Sequence, residues 1–128
     1  MDKKNILLCV SGGIAVYKAV ALTSKLTQAN FNVKVLMTDS ARKFVNPLSF
    51  QVMSKNDVYY DTFDEKDSSV IAHIDLADWA DLVIVAPATA NVLGKIANGI
   101  ADDMVTTTLL ATTAPVWPMR RVQSLNAL

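Results

Sequence analysis

The fold is decided by the stretch ILLCVSGGIAVYKAVAL, residues 6–22, whose first five residues form an unbroken apolar run. Such a run is typical of a strand that is buried on both faces of a parallel sheet. The tripeptide SGG at 11–13 ends the run, and apolar residues then recur at helical spacing from Ile14 to about Ala29. This order of strand, tight turn and helix predicts the beginning of an α/β domain.

Two further apolar runs, Val33–Met37 and Leu82–Ala86, predict buried strands of the same kind. Small or hydroxyl-bearing residues follow both runs, and helical patterns come after them. The repetition predicts an α/β fold with a doubly wound, mostly parallel sheet, of the flavodoxin-like, three-layer (Rossmann-like) type. The remaining patterns predict helices near Ala41–Phe44, Leu48–Ser54, Ile74–Ala80, Val92–Ile100 and Met104–Leu110, and strands at Val58–Tyr60 and Val116–Trp117.

The composition narrows the classes of partner and location. The 128 residues carry 12 basic and 12 acidic side chains, so no basic surface for nucleic acid or an anionic membrane stands out. No apolar stretch approaches the ~20 residues that span a bilayer, and the first apolar run is too short for a signal peptide. Cys9 is the single cysteine, which excludes an internal disulfide. These features predict a cytoplasmic protein with no nucleic-acid or membrane partner.

Three loops that leave the predicted strands share an unusual composition. They are Ser11–Ala15, Thr38–Ser40 and Pro87–Asn91, and all are rich in small residues or hydroxyls. In open α/β sheets, ligands bind beyond the carboxyl ends of the strands. Small residues allow a ligand to approach the backbone, and backbone N–H groups and hydroxyls can donate to a phosphate.

The loops also indicate which kind of nucleotide would fit. None contains Lys, so a triphosphate-binding P-loop is absent, and the glycine spacing at 11–15 is not that of a dinucleotide fingerprint. A mononucleotide such as FMN fits better. Each loop alone is equally typical of a tight turn or a helix cap, so the interpretation depends on their joint appearance after successive strands.

His73 is the only histidine, and it lies just before a predicted helix. One interpretation is a partly exposed residue at a helix start. The other is an acid/base group, because an unperturbed imidazole has a pKa near 6.5. Asp75 could orient the imidazole, although an acidic residue in the first turn of a helix needs no such role.

The adjacent carboxylates Asp102 and Asp103 could suggest a metal site. No His or Cys lies near them in the sequence, and their position at the start of a helix explains them equally well. The sequence therefore predicts no metal centre.

Several segments together resemble one known family. Ser11–Ala15 followed by Tyr17-Lys18 resembles the first flavin loop of the homo-oligomeric flavin-containing cysteine decarboxylases. His73–Leu76 resembles their active-site histidine segment, Pro87–Asn91 their second flavin motif, and Gly99–Asp103 the segment that follows. The likeness covers roughly residues 4–116, and it is greatest to the phosphopantothenoylcysteine decarboxylase half of bacterial bifunctional coenzyme A biosynthesis proteins.

The resemblance implies a function for the chain. It implies an FMN-binding flavoprotein that decarboxylates 4′-phosphopantothenoylcysteine to 4′-phosphopantetheine, by transient flavin oxidation of the cysteine moiety. It implies homotrimers or assemblies of trimers, and a catalytic role for His73 in acid/base chemistry or substrate positioning. The cofactor-binding residues that it implies are Ser11, Gly12, Gly13, Ile14, Ala15, Thr38, Ser40, Pro87, Ala88, Thr89, Ala90 and Asn91.

The family pattern breaks after Val116. The family has a Pro-Ala-Met-Asn motif here, whose asparagine binds the substrate carboxylate, but this chain reads WPMRR at 117–121. A later cysteine of the family, which protonates the intermediate, has no counterpart in the 128 residues. We therefore divide the chain into an incomplete FMN-binding cysteine decarboxylase-type domain at 1–116 and a divergent or truncated tail at 117–128.

Three alternatives remain open at this level. The chain could be a catalytically incomplete FMN-binding fragment that lacks the substrate clamp and the reductive cysteine. It could be a peptidyl-cysteine decarboxylase, whose substrate is a peptide with a C-terminal cysteine. It could also be an electron carrier that resembles flavodoxin, in which His73 would have no role.

Overall fold

The sheet is parallel throughout, within the part of the chain that the computed structural model describes: residues 3–12, 16–60, 75–86, 90–100 and 104–118. Its strands are β1 (Asn5–Val10), β2 (Asn32–Met37), β3 (Val58–Tyr60), β4 (Leu82–Val85) and β5 (Val116–Pro118). They lie in the order β3-β2-β1-β4-β5, so the chain builds the sheet outward from β1, first to one side and then to the other. This arrangement confirms the predicted doubly wound α/β class.

Helices cover both faces of this sheet. They are α1 (Val16–Gln28), α2 (Asp39–Arg42), α3 (Pro47–Ser54), α4 (residues 75–79), α5 (Ala90–Ala97) and α6 (Met104–Ala111). Within the described ranges, no helix has the length and apolar character that crossing a bilayer requires.

The bounds of α5 differ from the prediction at both ends. The helix begins two residues earlier, so Ala90 and Asn91 belong to its first turn rather than to the preceding loop. It ends at Ala97 because Gly99 adopts a left-handed conformation with φ of 68°. The N–H groups of Gly99 and Ile100 then bond back to carbonyls of the last turn, at 3.2 and 2.8 Å. This is the Schellman arrangement, which satisfies carbonyls that have no partner within the helix.

The hydrophobic core is divided by the sheet into two layers. Successive side chains of β1 point to opposite faces, as the pleat of a strand requires. Ile6, Leu8 and Val10 pack with α1 and α3, whereas Leu7 and Cys9 pack with the helices of the second half. The fully buried Phe50 anchors α3 to the first layer. Burial on both faces explains why β1 reads as a continuous apolar run.

The amino edge of the sheet is joined by polar side chains around Asn5. The backbone N–H of Asn5 donates to the Asp81 carboxylate at 2.8 Å, and its side-chain amide donates to the Trp79 carbonyl at 3.1 Å. The amide of Asn32 in turn donates to the side-chain oxygen of Asn5 at 3.2 Å. These bonds fix the starts of β1, β2 and β4 relative to one another.

Strand β5 crosses the domain boundary that we predicted between residues 116 and 117. It pairs in parallel with β4, with Val83 opposite Val116 and Val85 opposite Pro118. Proline has no N–H to donate, and it is tolerated here because β5 is the edge strand of the described sheet. Residues 119–128 lie outside the described residues, so the extent of the domain and of the tail stays a prediction.

We expect the core of the first layer to depend strongly on Phe50. Phe50→Ala should lower the free energy of unfolding by about 3–5 kcal/mol, because it removes a fully buried aromatic ring and leaves a cavity. Gln51→Ala, on the exposed side of the same helix, should change it by less than about 0.5 kcal/mol. Urea titration followed by circular dichroism measures both, and similar losses for the two variants would contradict this description of the core.

Candidate functional site

The strand order reverses between β1 and β4, which makes this place a topological switch point of the sheet. After β1 the chain continues to β2 and β3 on one side, and it returns to β4 and β5 on the other. The connections that leave β1 and β4 therefore diverge to opposite faces of the sheet. In doubly wound folds this switch point is where ligands bind. The loops after β1 and β4, which we singled out by composition, leave the sheet at this point.

Backbone hydrogen bonds hold the three strand ends together at the carboxyl edge of the sheet. The N–H of Thr38, just after β2, donates to the Val10 carbonyl at 3.0 Å. The N–H of Ala86, just after β4, donates to the Cys9 carbonyl at 2.9 Å. Ser11, the first residue beyond β1, is 2% exposed. The first residues of all three loops therefore start from one rigid edge.

Ala86 is a residue whose role the sequence did not reveal. Its apolar side chain is buried, and we had interpreted it only as the end of a strand. Its N–H nevertheless extends the ladder between β4 and β1 by one bond, and so sets where the following loop departs. No local signal distinguishes Ala86 from the other residues of the run, because the bond depends on the register between distant strands.

Thr38 is the N-cap of α2, and it explains why this helix begins at Asp39 rather than at Ala41. Its backbone is extended, with φ of −74° and ψ of 162°, and its hydroxyl accepts from the Ala41 N–H at 3.2 Å. An accepted bond leaves the hydroxyl proton of Thr38 available to donate to another group. Thr38 is buried, whereas Ser40 is exposed.

Gly12 brings the first loop into contact with the second. A Cβ atom at Gly12 would lie 2.6 Å from Cβ of Ser40, closer than two such carbons approach in proteins. The absence of a side chain at position 12 therefore allows the first turn of α2 to pack against the loop after β1. From the sequence, we interpreted this glycine as a position where a ligand can approach the backbone. The structure adds a second reason, because a side chain at position 12 would collide with Ser40.

The described structure brings part of the predicted site together. Ser11 and Thr38 follow neighbouring strand ends, and Gly12 contacts Ser40 directly. Ala90 and Asn91 form the first residues of α5, which follows the loop after β4. The other predicted site residues, Gly13, Ile14, Ala15, His73, Pro87, Ala88 and Thr89, lie outside the described residues. The assignment of all of these residues to a site stays a prediction.

The charges that the described residues place near this edge are few. Asp39 and Arg42, the first and last residues of the single turn of α2, form an ion pair of 3.6 Å, and both side chains are exposed. An exposed pair of this kind contributes little to stability. Among the described residues, no three His, Cys, Asp or Glu side chains lie close enough together to hold a metal ion.

Comparison with known proteins identifies relatives of the whole described region. A model of the flavoprotein family matches residues 1–121. The coenzyme A biosynthesis bifunctional protein CoaBC of Bacillus subtilis is 73% identical over 117 residues, which are 91% of this chain and 29% of that protein. A probable phosphopantothenoylcysteine decarboxylase of Streptococcus mutans is 52% identical over 108 residues, which are 84% of this chain and 60% of that protein.

Solved structures give the same picture of the fold. The crystal structure of TvaF, an FMN-dependent cysteine decarboxylase from thioviridamide biosynthesis, superposes with a TM-score of 0.81 at 32% identity. The superposition covers 90% of this chain and 71% of TvaF. Of the two relatives identified by sequence, the chain spans less than a third of the B. subtilis protein and somewhat under two thirds of the S. mutans protein.

We expect substitution by alanine to destabilise the protein at Gly12 and to stabilise it at Gly94. Gly12→Ala should lower the free energy of unfolding by about 1–3 kcal/mol, because the new methyl group collides with Ser40. Gly94 lies within α5, and a Cβ there meets nothing within 4 Å. Gly94→Ala should therefore raise the free energy of unfolding by about 0.5–1 kcal/mol.

Urea titration of the two variants side by side measures the difference between them. Equal effects, or stabilisation by Gly12→Ala, would show that the two loops do not pack as described.

Proposed function

Because the chain belongs to the flavoprotein family, we propose that it is the FMN-binding part of a phosphopantothenoylcysteine decarboxylase. The observation that carries the proposal is the packing of Gly12 against Ser40, which joins the small, hydroxyl-bearing loops after β1 and β2 at the carboxyl edge of the sheet, next to the switch point between β1 and β4. The 73% identity to the B. subtilis protein over 91% of this chain supports the substrate, 4′-phosphopantothenoylcysteine. The product would be 4′-phosphopantetheine, within coenzyme A biosynthesis.

The described residues suit the phosphate-bearing end of a mononucleotide. Ser11, Thr38 and Ser40 bring hydroxyl groups to the same edge, and Gly12 places no side chain there. Hydroxyls and backbone N–H groups are the usual donors to phosphate. The one carboxylate among them, on Asp39, is exposed and lies beside the guanidinium of Arg42. Apart from this paired carboxylate, the set carries no negative charge.

The remaining residues of the proposed cofactor site come from the loops that we assigned by sequence. The full set is Ser11, Gly12, Gly13, Ile14, Ala15, Thr38, Ser40, Pro87, Ala88, Thr89, Ala90 and Asn91. When bound, FMN would supply the redox chemistry that allows the cysteine carboxylate to leave. The role of the chain is to hold the cofactor, orient the substrate and provide a proton-transfer group.

His73 is our proposed catalytic residue. The family resemblance of the segment His73–Leu76 supports this role, and imidazole is the side chain whose protonation changes most readily near neutral pH. The imidazole would move a proton to or from the substrate, or hold the substrate in place. Because the proposed substrate is a small phosphorylated metabolite, we also propose that the chain acts in the cytoplasm.

A second candidate is a cysteine decarboxylase with a different substrate. TvaF, which comes from thioviridamide biosynthesis, shares the fold closely, so the fold alone does not select the coenzyme A precursor. A peptide with a C-terminal cysteine is the probe that separates the two candidates. A third candidate, an FMN-binding fragment without turnover, is favoured by the divergence from the family pattern after Val116.

We expect the purified chain to carry a flavin and to release carbon dioxide from 4′-phosphopantothenoylcysteine. Absorbance before and after denaturation detects the flavin, and the gas is measured with carboxyl-labelled substrate. His73→Asn should retain the flavin and lower kcat by roughly 10²–10⁴-fold, the usual contribution of an acid/base group.

Each other result selects a different conclusion. Flavin without carbon dioxide from either probe would favour the incomplete fragment, and faster turnover of the peptide would favour the second candidate. A colourless protein that takes up no added FMN would contradict the proposal. Unchanged turnover in His73→Asn would remove that residue from the mechanism.

We further propose that the chain forms a homo-oligomer, a trimer or an assembly of trimers. Three large apolar side chains are exposed on α3 and on the connection that leads into it: Phe44, Leu48 and Val52, by 52, 59 and 61%. Leu48 and Val52 lie one turn apart on the same side of α3. An apolar surface of this kind is typical of a contact with another protein chain.

Sedimentation velocity should therefore show an assembly, and Leu48→Glu should weaken it at least about tenfold, because it places a charge in a buried contact. Ala97→Glu adds the same charge to an exposed position of α5, on the opposite face of the sheet, and should leave the assembly intact. A wild-type chain that sediments as a monomer at all concentrations would contradict the proposal.

A further inference from the structure

The end of α5 carries the dipeptide Asn98-Gly99 at the surface. Asn98 is the only asparagine of the chain that glycine follows, and both residues are exposed. Asparagine is among the chemically labile side chains of proteins. The lability arises because the backbone nitrogen of the next residue can attack the side-chain carbonyl carbon, and a glycine has no Cβ atom to hinder that approach. The reactive pair therefore lies where water can reach it.

Hydrogen bonds at the end of α5 engage both of the groups that would react. The side-chain amide of Asn98 donates to the Gly94 carbonyl at 2.8 Å. The N–H of Gly99 donates to the Ile96 carbonyl at 3.2 Å. The nitrogen that would attack and the amide that would leave are thus each bonded to a carbonyl of the last turn, so the reaction requires this turn to open.

The last turn of α5 is the part of the helix that opens most readily. Helix ends fray, and local opening at an exposed end costs much less free energy than global unfolding. The 3.2 Å bond of Gly99 is at the long end of the usual range for N–H···O bonds. Residues 97–100 are all exposed, so little packing adds to the bonds there.

We propose that Asn98 is a site of spontaneous deamidation, and that opening of the last turn of α5 sets its rate. In the open form, the backbone nitrogen of Gly99 bonds to the side-chain carbonyl carbon of Asn98, loses its proton and expels the side-chain nitrogen as ammonia. The resulting cyclic imide takes up water, and one of its two ring carbon–nitrogen bonds breaks to leave aspartate or isoaspartate. One amide and one water thus become one carboxyl group and one ammonia, with no oxidation or reduction.

The modification also changes the stability of the helix end. A carboxylate cannot donate a hydrogen bond, so the bond to the Gly94 carbonyl is lost. The new negative charge lies at a helix C-terminus, where the helix dipole is also negative. Deamidation therefore removes a capping bond and adds an unfavourable charge at the same position.

The chain offers a control for each part of the proposal. Asn30 is also exposed and also follows the end of a helix, α1, but the side chain of Phe31 hinders attack by the next nitrogen. Ala97→Gly, at the last residue of α5, favours opening of the last turn because glycine lowers helix stability. Ala111→Gly makes the same change at the exposed last residue of α6.

Incubation of the full chain at mildly alkaline pH, followed by peptide mapping with mass spectrometry, measures conversion at each asparagine. We expect conversion at Asn98 and none at Asn30 over the same period, and a faster conversion at Asn98 in urea, where the cap is absent. Ala97→Gly should raise the rate in the folded chain about two- to fivefold, as the lower helix propensity of glycine implies. Ala111→Gly should leave the rate unchanged.

Three results would overturn the proposal, and none of them depends on the cofactor or on turnover. The first is an Asn98 that stays unmodified in the folded chain although urea allows its conversion. The second is a rate in the folded chain that equals the rate in urea, because the helix end would then exert no control. The third is equal acceleration by Ala97→Gly and Ala111→Gly, which would show that global unfolding sets the rate.

Discussion

The burial of β1 on both faces is the constraint on which the other elements depend. Leu7, Leu8, Cys9 and Val10 are all fully buried, and the strand pairs with β2 on one side and β4 on the other. A backbone in this position can satisfy its N–H and C=O groups only through neighbouring strands. Because parallel neighbours need crossover connections, helices must cover both faces. The strand order and the two layers of core follow from this central placement.

The two edges of the sheet differ in the polar side chains that they carry. At the amino edge, the bonds of Asn5 to Asp81, Trp79 and Asn32 add side-chain contacts to the backbone bonds between the strands. At the carboxyl edge, backbone bonds of Thr38 and Ala86 hold the strand ends, and the residues that follow are small or carry hydroxyls. The amino edge thus gains specific contacts within the chain, and the carboxyl edge is where we propose that backbone and hydroxyl groups donate to a ligand. This division is the usual one in proteins that place a variable site on a rigid scaffold.

The sequence comparisons assign this fold to the flavoprotein family. The family model covers residues 1–121, and the bifunctional relative from B. subtilis keeps 73% of the residues over the matched region. Most of the identical residues must lie outside the three loops after the strands, which together contain only 13 residues. The hydroxyl of Thr112, for example, caps the last turn of α4 and lies outside those loops.

The sequence by itself determined the class of the fold, the three long buried strands and the composition of the loops that follow them. These features are local, because the apolar run of β1 and the glycine pair after it involve only neighbouring residues. A strand that is buried on both faces also has a continuous apolar sequence, which can be recognised directly. Only the tertiary structure decided the strand order, the contact of Gly12 with Ser40 and the capping of α4 by Thr112. The last of these joins residues 35 positions apart. Such contacts depend on the register between distant elements, and that register cannot be deduced from the spacing of residues within one element.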